Sequence, residues 1–406
     1  MISFKNNIKA GGLALVTAMA MLTSCNKDLE QFPNPVEVVP GGKTIAEELL
    51  SRPNDTLFYR LLERGGLIPT LSNNATRYTV FVADSNAMKV FVNAASSGAV
   101  PLTAPGSVFS NFIRNSLPVA TATAIANYDV VPQLVNYATV PSTFPNFQYP
   151  SLYNPAPTVS ALLRLTVFPT TRNGNYVNNI PVTNPNIVVA AGILHEVPAL
   201  VAPPSKYLWD RINADAGLTY LKAAIIRADS GTAAPGTLQG ALLNIGANLT
   251  VYAPTDAAFQ ATLTGAIAQG LIAQGVPPAT ALAQATALAA SPAVFTNPAL
   301  YGVLTATVVK GIVVYHILGN RAFNNNLPTV QANFPTLLNS AVPTHPGIGL
   351  KSTFTGLSVS AATAKGAANA TASNILINPT PEPNGTSDQH YLNGVLHKID
   401  QVLLPQ

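Results

Sequence analysis

Eleven residues, Leu249 to Phe259 (LTVYAPTDAAF), are answered by a weaker copy at Tyr78 to Met88 (YTVFVADSNAM). A strand running into a helix start, repeated at most of a domain's separation, describes a chain built twice. A second echo closes each copy: GILHEV at Gly192 to Val197 matches GVLHKI at Gly394 to Ile399. The offset is 171 for the opening box (80 to 251) and 202 for the closing box (192 to 394), so the later copy carries 31 extra residues. At 406 residues the chain also exceeds what one core usually supports, which again points to two domains or three.

The opening box has a legible physics. Leu249, Val251 and Ala253 alternate with Thr250 and Tyr252 as a strand that Pro254 ends. Thr255 is placed as a helix N-cap, Asp256 lies in the first turn where its charge complements the helix dipole, and Phe259 docks the helix. In the first copy Val80 and Val82 bracket Phe81, Asp84 or Ser85 supplies the cap, and Met88 stands where Phe259 stands.

Apolar residues at helical spacing precede each box. Ile45, Leu49, Leu50, Leu57, Leu61 and Leu62 are split by Pro53 into two short helices, and Tyr207 to Ile226 repeat the pattern with Gly217 as the break. Between the boxes of the second copy, Ala281 to Ala290 predicts an alanine-rich helix, Asn297 to Lys310 another, and Ile312 to Leu318 a strand. Setting Phe112 to Leu117 (FIRNSL) beside that last segment, at an offset of 201, places 30 of the 31 extra residues in the alanine-rich helices. Further strands are expected at Leu162 to Phe168, Ile187 to Ala190, Leu357 to Ser360 and Ile375 to Asn378, with long loops at Ala138 to Pro157 and Asn378 to Tyr391.

The first 24 residues do not belong to the fold. Lys5 and Lys9 form a basic start, Gly11 to Leu22 is apolar but short for a membrane span, and Leu22-Thr23-Ser24-Cys25 resembles a bacterial lipobox. Cys25 is the only cysteine, so no internal disulfide can form and lipid attachment is the expected fate of its thiol. Residues 25–43 then read as a tether, whose Lys27-Asp28-Leu29-Glu30 resembles a surface-export signal as much as it does plain solvated charge. Removing residues 1–24 lowers the formal charge from +4 to +2, too little to argue for nucleic acid as a partner or for a membrane contact beyond the lipid. Outer-membrane anchoring is the expected location, and only 9% of residues are charged, so the exposed surface is largely neutral and polar.

Candidate chemistry is sparse. No histidine falls in a metal-binding spacing, no nucleophile elbow or phosphate loop occurs, and the reading is of a protein with no cofactor, metal or catalytic residue. His195 and His397 occupy the same place in the two copies, each between apolar residues at i−2 and i+2, which predicts core histidines. The aromatics Phe144, Phe147, Tyr149 and Tyr153 in the proline-rich loop could pack on a partner or on sugar rings, or pin the loop to its own domain.

LTVYAPTDAAF, VVYHIL and NGVLHKIDQVLLP, in that order between Leu249 and Pro405, closely resemble a fasciclin domain. The match covers Lys206 to Gln406. Residues 44–204 resemble the family more loosely, lacking the Pro-Thr-Asp triplet and the Tyr-His pair and carrying Ala191 where Asn393 stands in the second copy. The resemblance implies an α+β fold with two domains, 44–204 and 205–406, the second with a helical insertion near 260–300, each an antiparallel β wedge or sandwich flanked by helices. It also implies extracellular adhesion through a protein or polysaccharide partner, without chemical turnover, and it singles out Tyr315 and His316 as candidate binding residues. Nutrient capture beside a transporter and a passive structural role in the envelope are the competing readings.

Overall fold

The computed structural model describes residues 41–233 and 236–406. The segments expected to be a signal peptide (1–24) and, up to residue 40, a tether, with Cys25, lie outside the described residues. From residue 41 onward the described residues form one compact unit, so the two copies pack directly on each other.

The fold is α+β. In the first copy, helices at Ile45–Ser51 and Thr56–Arg64, separated by a 3-10 turn at Pro53–Asp55, lead to β1 (Tyr78–Ala83). A short β2 (Val130–Val131) follows a helix at Val119–Tyr128. Two small ribbons come next: β3 (Tyr149–Pro150) with β4 (Thr166–Val167), then β5 (Pro169–Thr170), β6 (Tyr176–Val177) and β7 (Ile180–Pro181). Finally β8 (Asn184–Val189) and β9 (Gly192–Val197) complete a sheet of order β2-β1-β9-β8.

The second copy repeats the plan on a larger scale. Helices at Leu208–Ala214 and Thr219–Ala228 break near Gly217, as the sequence predicts. They precede β10 (Leu249–Pro254) and the helices Asp256–Ala273 and Pro278–Leu288, which pack on each other. After a helix at Ala306–Tyr315 come β11 (Ile317–Leu318), β12 (Ala332–Phe334), β13 (Ile348–Thr355), β14 (Ser358–Lys365), β15 (Ser373–Ile375), β16 (Gln389–Tyr391) and β17 (Gly394–Ile399). The sheet order is β11-β10-β17-β15-β14-β13-β12, with β16 also on β17. Most pairs are antiparallel, but the two boxes of each copy lie side by side in parallel, β1 on β9 and β10 on β17. All six residues of β10 are buried, so the face with Thr250 and Tyr252 is covered as well as the one with Leu249, Val251 and Ala253.

The capping predicted for the boxes is present. Asp84 accepts from the Ala87 amide at 2.8 Å and Thr255 Oγ1 from the Ala258 amide at 3.3 Å. Asp256 does more than favour its own helix. Its carboxylate accepts from Thr219 Oγ1 at 2.6 Å and the Tyr220 amide at 3.0 Å, clamping the start of the neighbouring helix. Phe259, 5% exposed, docks between Tyr220 and Phe295.

Three local readings are corrected. Ile312 to Tyr315 is the end of a helix, and only Ile317–Leu318 is strand, because Thr305 caps a helix that the β-branched run Thr307 to Val309 does not interrupt. Asn297 to Lys310 is not one helix: a 3-10 turn at Pro298–Leu300 precedes the helix proper. The third concerns FIRNSL, which is helical, with a π-turn at Phe112–Ser116. The true counterpart of β11 is β2, since Val131 and Leu318 pair with Thr79 and Thr250 at the same place in each sheet.

That register gives an offset of 187 (131 to 318), so the 31 extra residues divide into 16 before this point and 15 after it. It also aligns Tyr128 with Tyr315 and Asp129 with His316. The first copy therefore keeps the tyrosine and replaces only the histidine.

Candidate binding surface at the junction of the copies

Each copy is locked by the same buried device. Thr79 Oγ1 donates to the Gln133 carbonyl and accepts from the Val135 amide, both at 2.8 Å; Thr250 Oγ1 does the same with Asn320, at 2.6 Å, and Ala322, at 2.8 Å. His195 Nε2–H then donates to the Val135 carbonyl, and His397 Nε2–H to the Ala322 carbonyl, each at 2.8 Å. The other ring nitrogens accept from the amides of Asn186, at 3.0 Å, and Asp388, at 3.1 Å. Both rings are fully buried, and burial pushes the His195 imidazole down to about 4 and lowers that of His397. These are neutral structural histidines with both nitrogens in use, as their apolar neighbours suggest.

Tyr315 and His316 are also enclosed, at 0% and 1% exposure. Tyr315 Oη donates to the Gly347 carbonyl at 2.7 Å and accepts from the Ala367 amide at 2.9 Å. His316 Nδ1–H donates to the Ile312 carbonyl at 2.8 Å, while Nε2 accepts from the Leu403 amide at 2.8 Å. The pair staples the end of its helix to the closing segment of the copy and offers no atom to a partner on the folded surface. Asn393 is spent in the same way: its carbonyl oxygen accepts from the Leu208 amide at 3.0 Å and its amide donates to the Leu242 carbonyl at 2.8 Å.

The proline-rich aromatic loop faces the other copy. Phe144 packs on Phe334 at 4.4 Å between ring centroids, with the second copy's core beneath it. Tyr149 and Tyr153 pack against the first copy's core, and Phe147, in contact with Tyr149, is the member that stays exposed. The loop thus pins the junction, and Phe147 alone is presented outward.

What sequence reasoning passes over is the run Asn324-Asn325-Asn326. It reads as a turn, yet all three residues are buried where the copies meet. Asn325 Nδ2 donates to the Asn178 carbonyl at 2.9 Å, Asn326 Oδ1 accepts from Thr170 Oγ1 at 2.9 Å, and Asn173 Nδ2 donates to the Asn325 and Leu327 carbonyls, each at 2.9 Å. Asn326 also meets the Thr143 carbonyl and the Asn146 side chain of the aromatic loop. Tyr176 Oη adds a bond to the Leu357 carbonyl at 2.8 Å, and Phe168 packs on Phe323 and Val395. Bonded polar groups of this kind fix one orientation, because any other would leave them buried without partners. The only signal in the sequence is the improbability of three consecutive amides beside apolar Phe323.

Beside this seam lies a cleft of about 610 Å³. The first copy supplies Asn178 to Pro181 and the connecting run Ala199 to Ser205; the second supplies Pro379, Pro381, Glu382 and Asp388 to Tyr391. Its walls are mainly proline and aliphatic. Polar groups come from Asn179, Lys206 and Glu382, the charged pair being joined at 2.5 Å between Lys206 Nζ and Glu382 Oε2, while the Gln389 amide is spent on the Thr380 and Ser387 carbonyls, each at 2.9 Å. Asp388 is committed inward, accepting from Asn324 at 2.8 and 3.1 Å. Among the described residues, no three His, Cys, Asp or Glu side chains stand close enough to hold a metal ion, and no helix is long and apolar enough to cross a membrane.

No family model matches the chain, and no curated protein matches it. Among solved structures the chain is similar to a FAS1 domain pair from the insect cell adhesion molecule Fasciclin I, described there as a novel fold. Identity is 13%, covering 86% of this chain and 96% of that one, with a TM-score of 0.30. A likeness at that level bears on neither partner nor activity.

Proposed function

We propose that this chain is a non-catalytic ligand-binding or adhesion module of the bacterial envelope, built from two fasciclin-like copies over residues 44–204 and 205–406 and lipid-anchored through Cys25. The observation that carries the reading is the cleft built jointly by both copies, of a volume that suits a ligand and lined by apolar walls with a few convergent polar groups. The histidines of the boxes have both ring nitrogens bonded to the protein, which removes the obvious general bases from consideration. The Asn179 amide and the Lys206–Glu382 pair suit the hydroxyls of a polysaccharide, which makes this the favoured partner over protein.

An array of glycans and matrix proteins, probed with the purified protein and with Asn179→Trp, tests this. Binding that the tryptophan abolishes by filling the cleft supports the proposal. Silence of the wild-type protein on every surface leaves the passive structural role. Protease treatment of intact cells tests the location, which requires digestion before lysis if the anchor faces outward.

A further inference from the structure

A second cavity opens at the junction, about 210 Å³ in volume, lined by Gln148, Arg164 and Thr166 from the first copy and Ala247, Asn248 and Arg321 from the second. No acidic side chain lines it. Arg321 is 5% exposed, and its guanidinium donates to Asn248 Oδ1 at 2.8 Å and to the carbonyls of Tyr391, at 2.9 Å, and Leu392, at 2.6 Å. It also meets His390 Nε2 and lies over the Phe168 ring, 5.1 Å from its centroid. Every one of these partners is neutral, since burial holds the His390 imidazole well below its usual range. Burial also brings the Arg321 guanidinium down, to about 10, which leaves it charged at neutral pH.

Neither Arg321 nor Arg164 forms an ion pair among the described residues, and Arg321 is the buried one of the two. A buried charge without a counter-charge is costly, and its cost falls when an anion can reach it. Clamping the Tyr391 and Leu392 carbonyls would explain Arg321 alone. Those bonds leave one Nη2 N–H of Arg321 unused, and Arg164, which spends Nη1 on the Ala161 and Leu163 carbonyls at 2.8 and 2.7 Å, keeps Nε and Nη2, while no carboxylate stands around the cavity to take them. Guanidinium forks match planar or tetrahedral oxyanions, and the amides of Gln148 and Asn248 and the Thr166 hydroxyl supply neutral bonds beside them.

We propose that this cavity is an oxyanion site, in which Arg321 and Arg164 hold a carboxylate or sulfate group between the two copies. The group arrives either as a free inorganic anion or carried on an acidic sugar. The site is separate from the larger cleft and stands whether or not that cleft binds.

Calorimetric titration of sodium sulfate and of a glucuronate disaccharide into the full chain, and into Arg164→Ala, Arg164→Glu and Arg321→Lys, tests it. Arg164 is exposed, so its variants fold even where the buried Arg321→Lys does not. At least one probe binds, about tenfold more weakly in Arg164→Ala, undetectably in Arg164→Glu, and more weakly as NaCl rises. Sulfate binding as tight as the disaccharide identifies a free anion, and tighter disaccharide binding identifies the sugar-borne group. Asn179→Trp leaves either untouched, separating this site from the cleft. If neither probe binds at millimolar concentration, or if Arg164→Glu binds like the wild type, the proposal is overturned.

Discussion

Asp129 stands where the second copy has His316, and the substitution leaves a debt. The histidine spans two backbone groups, the Ile312 carbonyl and the Leu403 amide, at 2.8 Å each. The aspartate side chain is shorter, fully buried, and neither of its oxygens has a partner. Burial therefore raises its pKa well above the usual carboxylate range. The folded protein holds that proton to a higher pH than the unfolded chain does. The group's contribution is fully favourable below the unfolded pKa, about 4, and is lost as pH rises toward the folded value.

Leaving a polar group buried and unpaired costs about 1–3 kcal/mol, and more when it is charged. Asp129→Asn removes the ionisation while keeping the shape, so it is expected to be more stable than wild type by about 1–3 kcal/mol at pH 8, the difference closing near pH 4. Asp129→His, which can restore the second copy's bonds, is expected to gain at least as much. Urea unfolding at intervals from pH 4 to 8, followed by circular dichroism, reads the difference between wild type and variant. Other titrating groups cancel in that difference. A gap that stays constant with pH, or a variant less stable at pH 8, would refute the unpaired carboxyl as its cause.

The buried histidines predict the opposite trend for the whole protein. His195 and His316 fall from the usual 6.5 to about 4 through burial, so each contributes stability above pH 6.5 that is lost as pH falls toward 4, about 3 kcal/mol apiece. His195→Gln should remove one such step from the acid unfolding profile while lowering stability at pH 7 by about 1–3 kcal/mol, and an unchanged profile counts against it. Arg211 and Asp215 form a largely buried pair at 2.8 Å, with Lys398 on the same carboxylate at 2.6 Å; Arg211→Met should cost about 3–5 kcal/mol in denaturant, and a loss under 1 kcal/mol would show the pair to be dispensable. Asn325→Ala together with Asn326→Ala should split thermal unfolding into two transitions, one per copy, whereas a single transition at the wild-type temperature denies the seam its role. Gly394→Ala would drive a methyl group into the Leu249 carbonyl between two parallel strands, and the protein should lose several kcal/mol or fail to fold, as judged by soluble yield.

The boxes were legible because local chemistry decides them. Thr255 and Asp84 announce helix starts whatever surrounds them, and the apolar neighbours of His195 and His397 announce burial. Ile312 to Tyr315 reads as strand because β-branched residues favour strands, but that is only a weak prior, and packing of the helix Ala306–Tyr315 against the helix Thr219–Ala228 overrides it. Misplacing it in turn mismatched Arg114 and Asn115 with Tyr315 and His316, and concealed Tyr128. The candidate site was harder still. The cleft and the asparagine seam are made by residues far apart in the chain, whose meaning exists only once the copies have docked, as in the bond between Asn325 and Asn178, 147 positions apart. Nothing local to Arg321 shows that it lacks a carboxylate.

The parallel pairing of β1 with β9 and of β10 with β17 also sets a schedule. In each copy a central strand is formed early in synthesis, yet its neighbour is the final one to be made, beginning 114 residues later in the first copy (78 to 192) and 145 later in the second (249 to 394). Until then the opening strand has one edge bare. The same order makes the last thirteen residues, Gly394 to Gln406, the ones whose loss removes the middle of a sheet rather than its fringe.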